Sequence, residues 1–331
     1  MNKFLLHIVL MLLLTSCLEV SPSGGRKESP SSFSVSPIPE SSSSLNPRDN
    51  FKQEYLSQQD LDRRQKKLLE AEADYTLNPN DLQNIIWYGR RLAYLGKYQE
   101  AINIFTEGIK KHPQSHKLYR HRGHRYITIR QYDQAIDDLQ NAAFYSSNER
   151  NDIEPDGIPN AYNKPLSNTK WNIMYHLGLA YYLKGNYDKA ISSYKKCTQY
   201  SDNNDLKVKA TNWLFATYSK IGNEDAATVL IEEIPGKMRL LENRLYHDLI
   251  MLYRGFITPD VVIRRNTSNG EINANAGYGL GNWYLINGDV NSALNIFSRV
   301  LDGTQVDAFG FVACEVEMAN LINARIGSTT N

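Results

Sequence analysis

Two clusters hold the residues whose types and spacing could do chemistry. His112, His116, His121 and His124 lie close together, and His121 and His124 fall on one side of a helix. Paired imidazoles are a start for a zinc site, but no cysteine or carboxylate stands at ligand spacing. Arg120, Arg122 and Arg125 surround them and would repel a cation. Further on, Asp152, Glu154 and Asp156 alternate before Gly157, as at the opening of a calcium loop. The position where such a loop needs its closing acid is Asn163, and Pro155 fixes the backbone, so a solvated loop is favoured. GxSxG, a Gly-rich phosphate loop and HExxH are all absent. Cys197 and Cys314 fall on mostly apolar helical patterns and read as two buried thiols. No catalytic constellation emerges and no cofactor or metal is expected, which leaves recognition.

Composition narrows the elements that could position these residues. The chain has 331 residues, 41% of them hydrophobic and 22% charged, with 3 Cys, which excludes disordered and disulfide-stapled classes. Thirty-seven Lys plus Arg against 36 Asp plus Glu gives a net charge of +1, so no basic field points to a nucleic-acid partner. Met1 to Lys3 is a short positive segment, Phe4 to Leu14 is almost purely apolar, and Thr15-Ser16-Cys17 follows. A helix of about 11 residues rises only about 16 Å, half of what a bilayer core requires. The segment resembles a bacterial lipoprotein signal peptide. That resemblance implies removal of residues 1–16 and lipidation of Cys17 with palmitate-like chains, two or more of which anchor durably. It also implies a bacterial envelope location, lipid-anchored at the outer membrane and facing the periplasm. Residues 17–50 are rich in Ser and Pro, as in Ser41-Ser42-Ser43-Ser44, and read as a flexible tether. About 30 such residues place the folded body, residues 51–331, on the order of 30 Å from the lipid.

Within that body a pattern recurs. Tyr88-Gly89, Gly96-Lys97-Tyr98, Ala101 and Phe105 line up with Arg122-Gly123, Tyr132, Ala135 and Leu139 at a shift of 34. Further copies run through Gly178, Gly185, Ala190 and Tyr194, through Phe215, Gly222, Ala227 and Ile231, and through Gly281, Gly288, Ala293 and Phe297. The step from the second copy to the third is longer, by an insertion at about 147–170, and a degenerate unit fits between 240 and 273. This pattern resembles the tetratricopeptide repeat (TPR), a pair of antiparallel helices of about 34 residues. The expected fold is all-α: a right-handed α-solenoid of about six helix pairs. The small residues mark where two helices cross closely, and the later glycines mark where each first helix ends. Phe215 departs from the pattern in the fourth unit, as do Asp248 and Asp260 in the degenerate one. Tyr55 to Leu77 and Ala308 to Ile326 fit as caps on the open ends.

The resemblance also implies a concave wall built from one face of each first helix, which binds extended segments of other proteins. On this chain the candidate partner-binding residues are Arg90 and Tyr94, then Lys117, Arg120 and His124, then Tyr175 and Tyr182, then Lys209 and Asn212. Residues 82–150 carry 11 Lys or Arg against 6 Asp or Glu, so acidic segments and carboxylates would be drawn to the early wall. The carboxylate-clamp arrangement of some family members is not matched: Arg120, His124, His176, Lys209 and Trp213 are electropositive but differently placed. The insertion is expected to fold over the wall, since long structureless loops are commonly functional. The expected function is a non-catalytic, membrane-anchored scaffold for a protein or peptide, in envelope assembly or secretion by analogy. The alternative is a ligand- or metal-dependent sensor or enzyme using the acidic insertion and His176.

Overall fold

The computed structural model describes residues 57–329; the signal segment, Cys17 and the tether lie outside them. Helix α1 (Gln58–Leu77) precedes six pairs: α2 (Leu82–Ala93) with α3 (Tyr98–Lys111), α4 (His116–Thr128) with α5 (Tyr132–Tyr145), and α6 (Thr169–Leu183) with α7 (Tyr187–Gln199). Then come α8 (Asn204–Lys220) with α9 (Glu224–Glu232), α10 (Arg244–Tyr253) with α11 (Pro259–Arg265), and α12 (Ala274–Ile286) with α13 (Val290–Leu301). Helix α14 (Phe309–Thr329) closes the series. No helix among the described residues is long and apolar enough to cross a membrane.

Local signals set the helix limits. Asp81, Asn168, Asn203 and Asp289 each accept a backbone N–H of their helix's first turn, which satisfies donors that have no intrahelical partner. First helices end where the backbone turns left-handed, at Gly96, Gly185, Gly222 and Gly288, with φ of 77°, 75°, 67° and 77°. In the second pair the same position is Arg130, at φ 65°, a conformation costly for a residue with a Cβ. Its side chain is tied down from across the molecule, donating to Glu315 Oε2 at 2.8 Å and to the Val306 carbonyl at 2.9 Å.

The close crossings are real contacts. A methyl on Gly89, Gly178 or Gly281 would press on Phe105, Tyr194 or Phe297 of the paired helix. Where Phe215 replaces the glycine, the aromatic opposite has become Ile231, and Phe215 stacks instead on Tyr253 of the next pair at 4.3 Å. The degenerate fifth pair is short. Asp248 is buried there and satisfied by Arg244 and Arg265, and an Asn269-Gly270 turn joins two strands, β1 (Thr267–Ser268) and β2 (Glu271–Ile272). Both turn residues have positive φ, the geometry such short hairpins prefer.

Stacking alone would leave non-adjacent pairs apart, yet they touch. The Tyr182 hydroxyl bonds the Tyr278 hydroxyl, and Trp213 stacks on Tyr278 at 5.5 Å. Helix α14 caps α12 and α13 and also returns to earlier pairs. Phe309 packs on His124 and His176, Glu315 meets Arg130, and Glu317 pairs with Lys220 at 2.7 Å. The stack therefore curls until its last helix lies on the inner wall of α4, α6 and α8.

Candidate functional site

The inner wall begins at the C-terminal half of α2. Arg90 is buried, stacked over Trp87 at 4.3 Å, and donates from Nη2 to the Pro155 carbonyl at 2.8 Å. The hydroxyl of Tyr94 accepts from Arg90 and lies against Gly157, where a methyl group would stand 1.7 Å from that oxygen. Arg91 donates to the Gly157 carbonyl at 2.8 Å. On α4, Arg120 is buried and pairs with Glu154 Oε1 at 2.9 Å, both side chains largely shielded from water. The segment Glu154–Gly157 thus runs along the basic wall, held by one carboxylate and two main-chain carbonyls.

The insertion is fixed at its base as well. Glu154 N–H donates to the Ser167 carbonyl at 2.8 Å, Thr169 N–H donates to the Asp152 carbonyl at 2.9 Å, and Asn172 donates to Glu154 Oε2 at 3.1 Å. Asp152 pairs with Arg150 and Glu154 with Arg120, while Asp156 Oδ2 is buried with no hydrogen-bond partner among the described residues. Among the described residues no group of three His, Cys, Asp or Glu side chains is placed to hold a metal ion.

The structure places the remaining candidates in varied surroundings. Lys117 is half-buried near the start of α4. His124 lies against His176 at 4.3 Å and Phe309 at 5.2 Å. Tyr175 and Tyr182 are buried, Tyr175 stacked on Trp171 at 4.7 Å. Lys209 sits in an aromatic box, its ammonium 4.8 Å from the Tyr175 ring centre, 5.8 Å from Tyr246 and 5.9 Å from Trp171. Burial pushes its pKa down to about 8. Asn212 is buried, and its carbonyl oxygen has no hydrogen-bond partner among the described residues. The structure brings Arg90, Tyr94, Arg120 and His124 together around one cavity, while Lys209 and Tyr175 form a second group and Tyr182 belongs to the contact with α12. His121, Arg125 and Phe105, which line the cavity, and Phe309, which packs on His124 from α14, were not among the binding candidates read from sequence. The sequence signal for the first two was the histidine cluster on α4, with Arg120, Arg122 and Arg125 around it.

Burial, and next the neighbouring cations, hold His121, His124 and His176 well below the ordinary imidazole range. His176 donates from Nδ1 to the Asn172 carbonyl at 2.5 Å, and His121 Nδ1 accepts from Arg120 at 2.8 Å. In the unfolded chain each would take a proton near pH 6.5. The folded pKa values are depressed, so the stability from keeping these rings neutral is complete above pH 6.5 and is lost as pH falls below it. Stability is therefore expected to fall between pH 7 and pH 5, by at most roughly 1.4 kcal/mol per pH unit for each ring that stays neutral. Urea unfolding at pH 7 and pH 5 measures this; equal midpoints would contradict it.

Comparison with known proteins finds a similarity confined to part of this body. The tetratricopeptide repeat profile matches residues 171–204, which cover α6 and α7. BBSome complex member BBS4 of Bos taurus is 31% identical over 128 residues, 39% of this chain and 20% of that protein. The chain therefore spans about a fifth of the length of that curated relative. Solved structures with a similar arrangement include MamA, at 20% identity over 54% of this chain and 92% of that one, TM-score 0.40. YrrB, titled a TPR protein with an unusual peptide-binding site, has 14% identity over 75% and 97% of the two chains, TM-score 0.40. A thermophilic TPR protein of Thermus thermophilus has 19% identity over 59% and 93%, TM-score 0.43. The fold is an α-solenoid of TPR-type helix pairs, an architecture of protein–protein interaction.

Proposed function

We propose that this chain is a non-catalytic scaffold that binds a protein partner as an extended, acid-bearing segment on the basic inner wall. One observation carries the reading: the chain's own segment Glu154–Gly157 already lies there as a ligand would. Its carboxylate sits on Arg120 and its carbonyls on Arg90 and Arg91. Guanidinium groups recognise carboxylate strongly and main-chain oxygen without regard to side chain, which suits capture of a peptide. The insertion is then a placeholder that a partner segment of the same chemistry displaces. Asp152 and Glu154 are each paired with an arginine, which favours this reading over a metal-dependent one. Lipid anchoring through Cys17 at the outer membrane, with the solenoid in the periplasm, completes the proposal; envelope assembly is its setting.

The test is site-specific photo-crosslinking in cells. A photoreactive residue at Lys117, beside the wall, should capture a discrete partner, and an excess of a peptide copying residues 151–159 should suppress the capture. The same residue at Glu107, on the exposed face of α3, should not capture it. Equal capture from both positions, or capture indifferent to the peptide, would refute the groove. Cys17→Ala should move the chain from the membrane to the soluble fraction.

A further inference from the structure

Beneath the Glu154 contact lies a cavity of about 90 Å³, bordered by Arg90, Arg120, Arg125, His121, His124 and Glu154. Its border carries three guanidiniums and one carboxylate, with Asp307 acting on Arg125 and Asp156 on Arg90 from outside it, while both imidazoles are kept neutral. Arg90 and Arg120 are only 8% and 7% exposed. Arg120 uses Nη2 on Glu154 and Nη1 on His121; its Nε–H is sealed from solvent and has no hydrogen-bond partner among the described residues. Arg125 lies over the Tyr98 ring at 5.7 Å, and burial pulls its pKa down from the ordinary arginine range. Packed, desolvated cations of one sign are costly unless a counter-charge joins them.

We propose that this cavity is a binding site for one compact oxyanion, held by Arg90, Arg120 and Arg125. Its volume suits the assignment, since water occupies about 30 Å³ per molecule and the space would take roughly three waters or one tetrahedral anion. Water would leave the immediate lining net positive, and a metal cation would meet three guanidiniums. An oxyanion supplies acceptors for the orphaned Arg120 Nε–H and for neighbouring guanidinium donors, which bind phosphate and carboxylate in paired fashion. The shared chemistry has two sources: free phosphate of the compartment, or a carboxylate carried by a partner. The site exists without a partner, so its test is separate from that of the groove.

The experiment is thermal unfolding of the full chain with sodium phosphate or sodium acetate, each against chloride at equal ionic strength. Phosphate as the occupant predicts a saturable rise in midpoint, reaching several degrees at a hundredfold excess over Kd, with displaced His124 imidazole resonances in the NMR spectrum. Arg125→Gln, a half-buried position, should abolish both effects while the helical circular dichroism stays. Lys67→Gln should leave them intact; Lys67 lies in a separate basic cleft with Arg63, Arg64 and Arg91, where surface phosphate binding would occur. A saturable response to acetate alone, still dependent on Arg125, supports the site with carboxylate as its occupant. No saturable response to either anion, or a response lost in Lys67→Gln and kept in Arg125→Gln, overturns the proposal.

Discussion

Asp205→Ala is expected to lower the thermal midpoint by roughly 10 °C. Asp205 is buried in the first turn of α8, and its carboxylate accepts three successive backbone N–H groups, from Leu241 at 3.0 Å, Glu242 at 2.8 Å and Asn243 at 2.8 Å. Those donors lead into α10, so one side chain docks the entry of the fifth pair onto the fourth. A hydrogen bond to a charged group is worth roughly 1.5–3 kcal/mol. Glu242 is exposed, so water replaces part of what is lost, and a total near 4 kcal/mol remains as the estimate. At about 2–4 °C per kcal/mol this gives the stated shift. Asp205→Asn keeps one acceptor oxygen and should lose about half as much. Calorimetry on both variants decides; equal small shifts would mean that the segment is held by its apolar contacts instead.

Gly310→Ala should be nearly as damaging, by about 3 kcal/mol, because the obstruction is backbone. A methyl there would stand 2.2 Å from the Ala274 carbonyl oxygen and 2.5 Å from its carbon and from Asn275 Cα. No rotamer change relieves such a clash, so α14 must move off the start of α12. With it go Phe309 from the His124–His176 pair and Glu315 from Arg130, whose left-handed backbone then lacks that tie. Gly281→Ala is the control: its methyl would meet the buried Phe297 ring at 2.2 Å, a side chain that can shift where backbone cannot, and the loss should be smaller. Urea unfolding measures the difference, and hydrogen exchange over 309–318 should rise only in the Gly310 variant.

The repeat was legible because each helix pair is made by contacts close in sequence. Gly89 needs Phe105, and Gly178 needs Tyr194, so the requirement recurs wherever the pair does. The fourth pair shows the limit of that rule: Phe215 is tolerated because Ile231 is smaller, an exchange visible only when both positions are read together. Folding of the insertion over the wall followed from its length, and the basic residues beneath it from their helical face. The curl was not legible. It accumulates from small rotations between neighbouring pairs, and nothing near Phe309 in sequence announces that it will meet His124 and Tyr175. For the same reason Tyr175 and Tyr182, placed on the inner face by spacing, lie buried where that face closes on α14 and α12. The reading of residues 1–50 rests on sequence alone, since they lie outside the described residues.

The closure of the stack on its own last helix is tested most directly by zero-length carbodiimide coupling of the unmodified chain, followed by peptide mass mapping. Lys220 on α8 and Glu317 on α14 are 2.7 Å apart, and Lys184 with Asp133 joins neighbouring pairs as an internal reference. The account predicts both isopeptides, Lys184–Asp133 and Lys220–Glu317, from folded monomer, and loss of only the second in Gly310→Ala. Recovery of the reference link with no Lys220–Glu317 link would contradict it and describe an open solenoid.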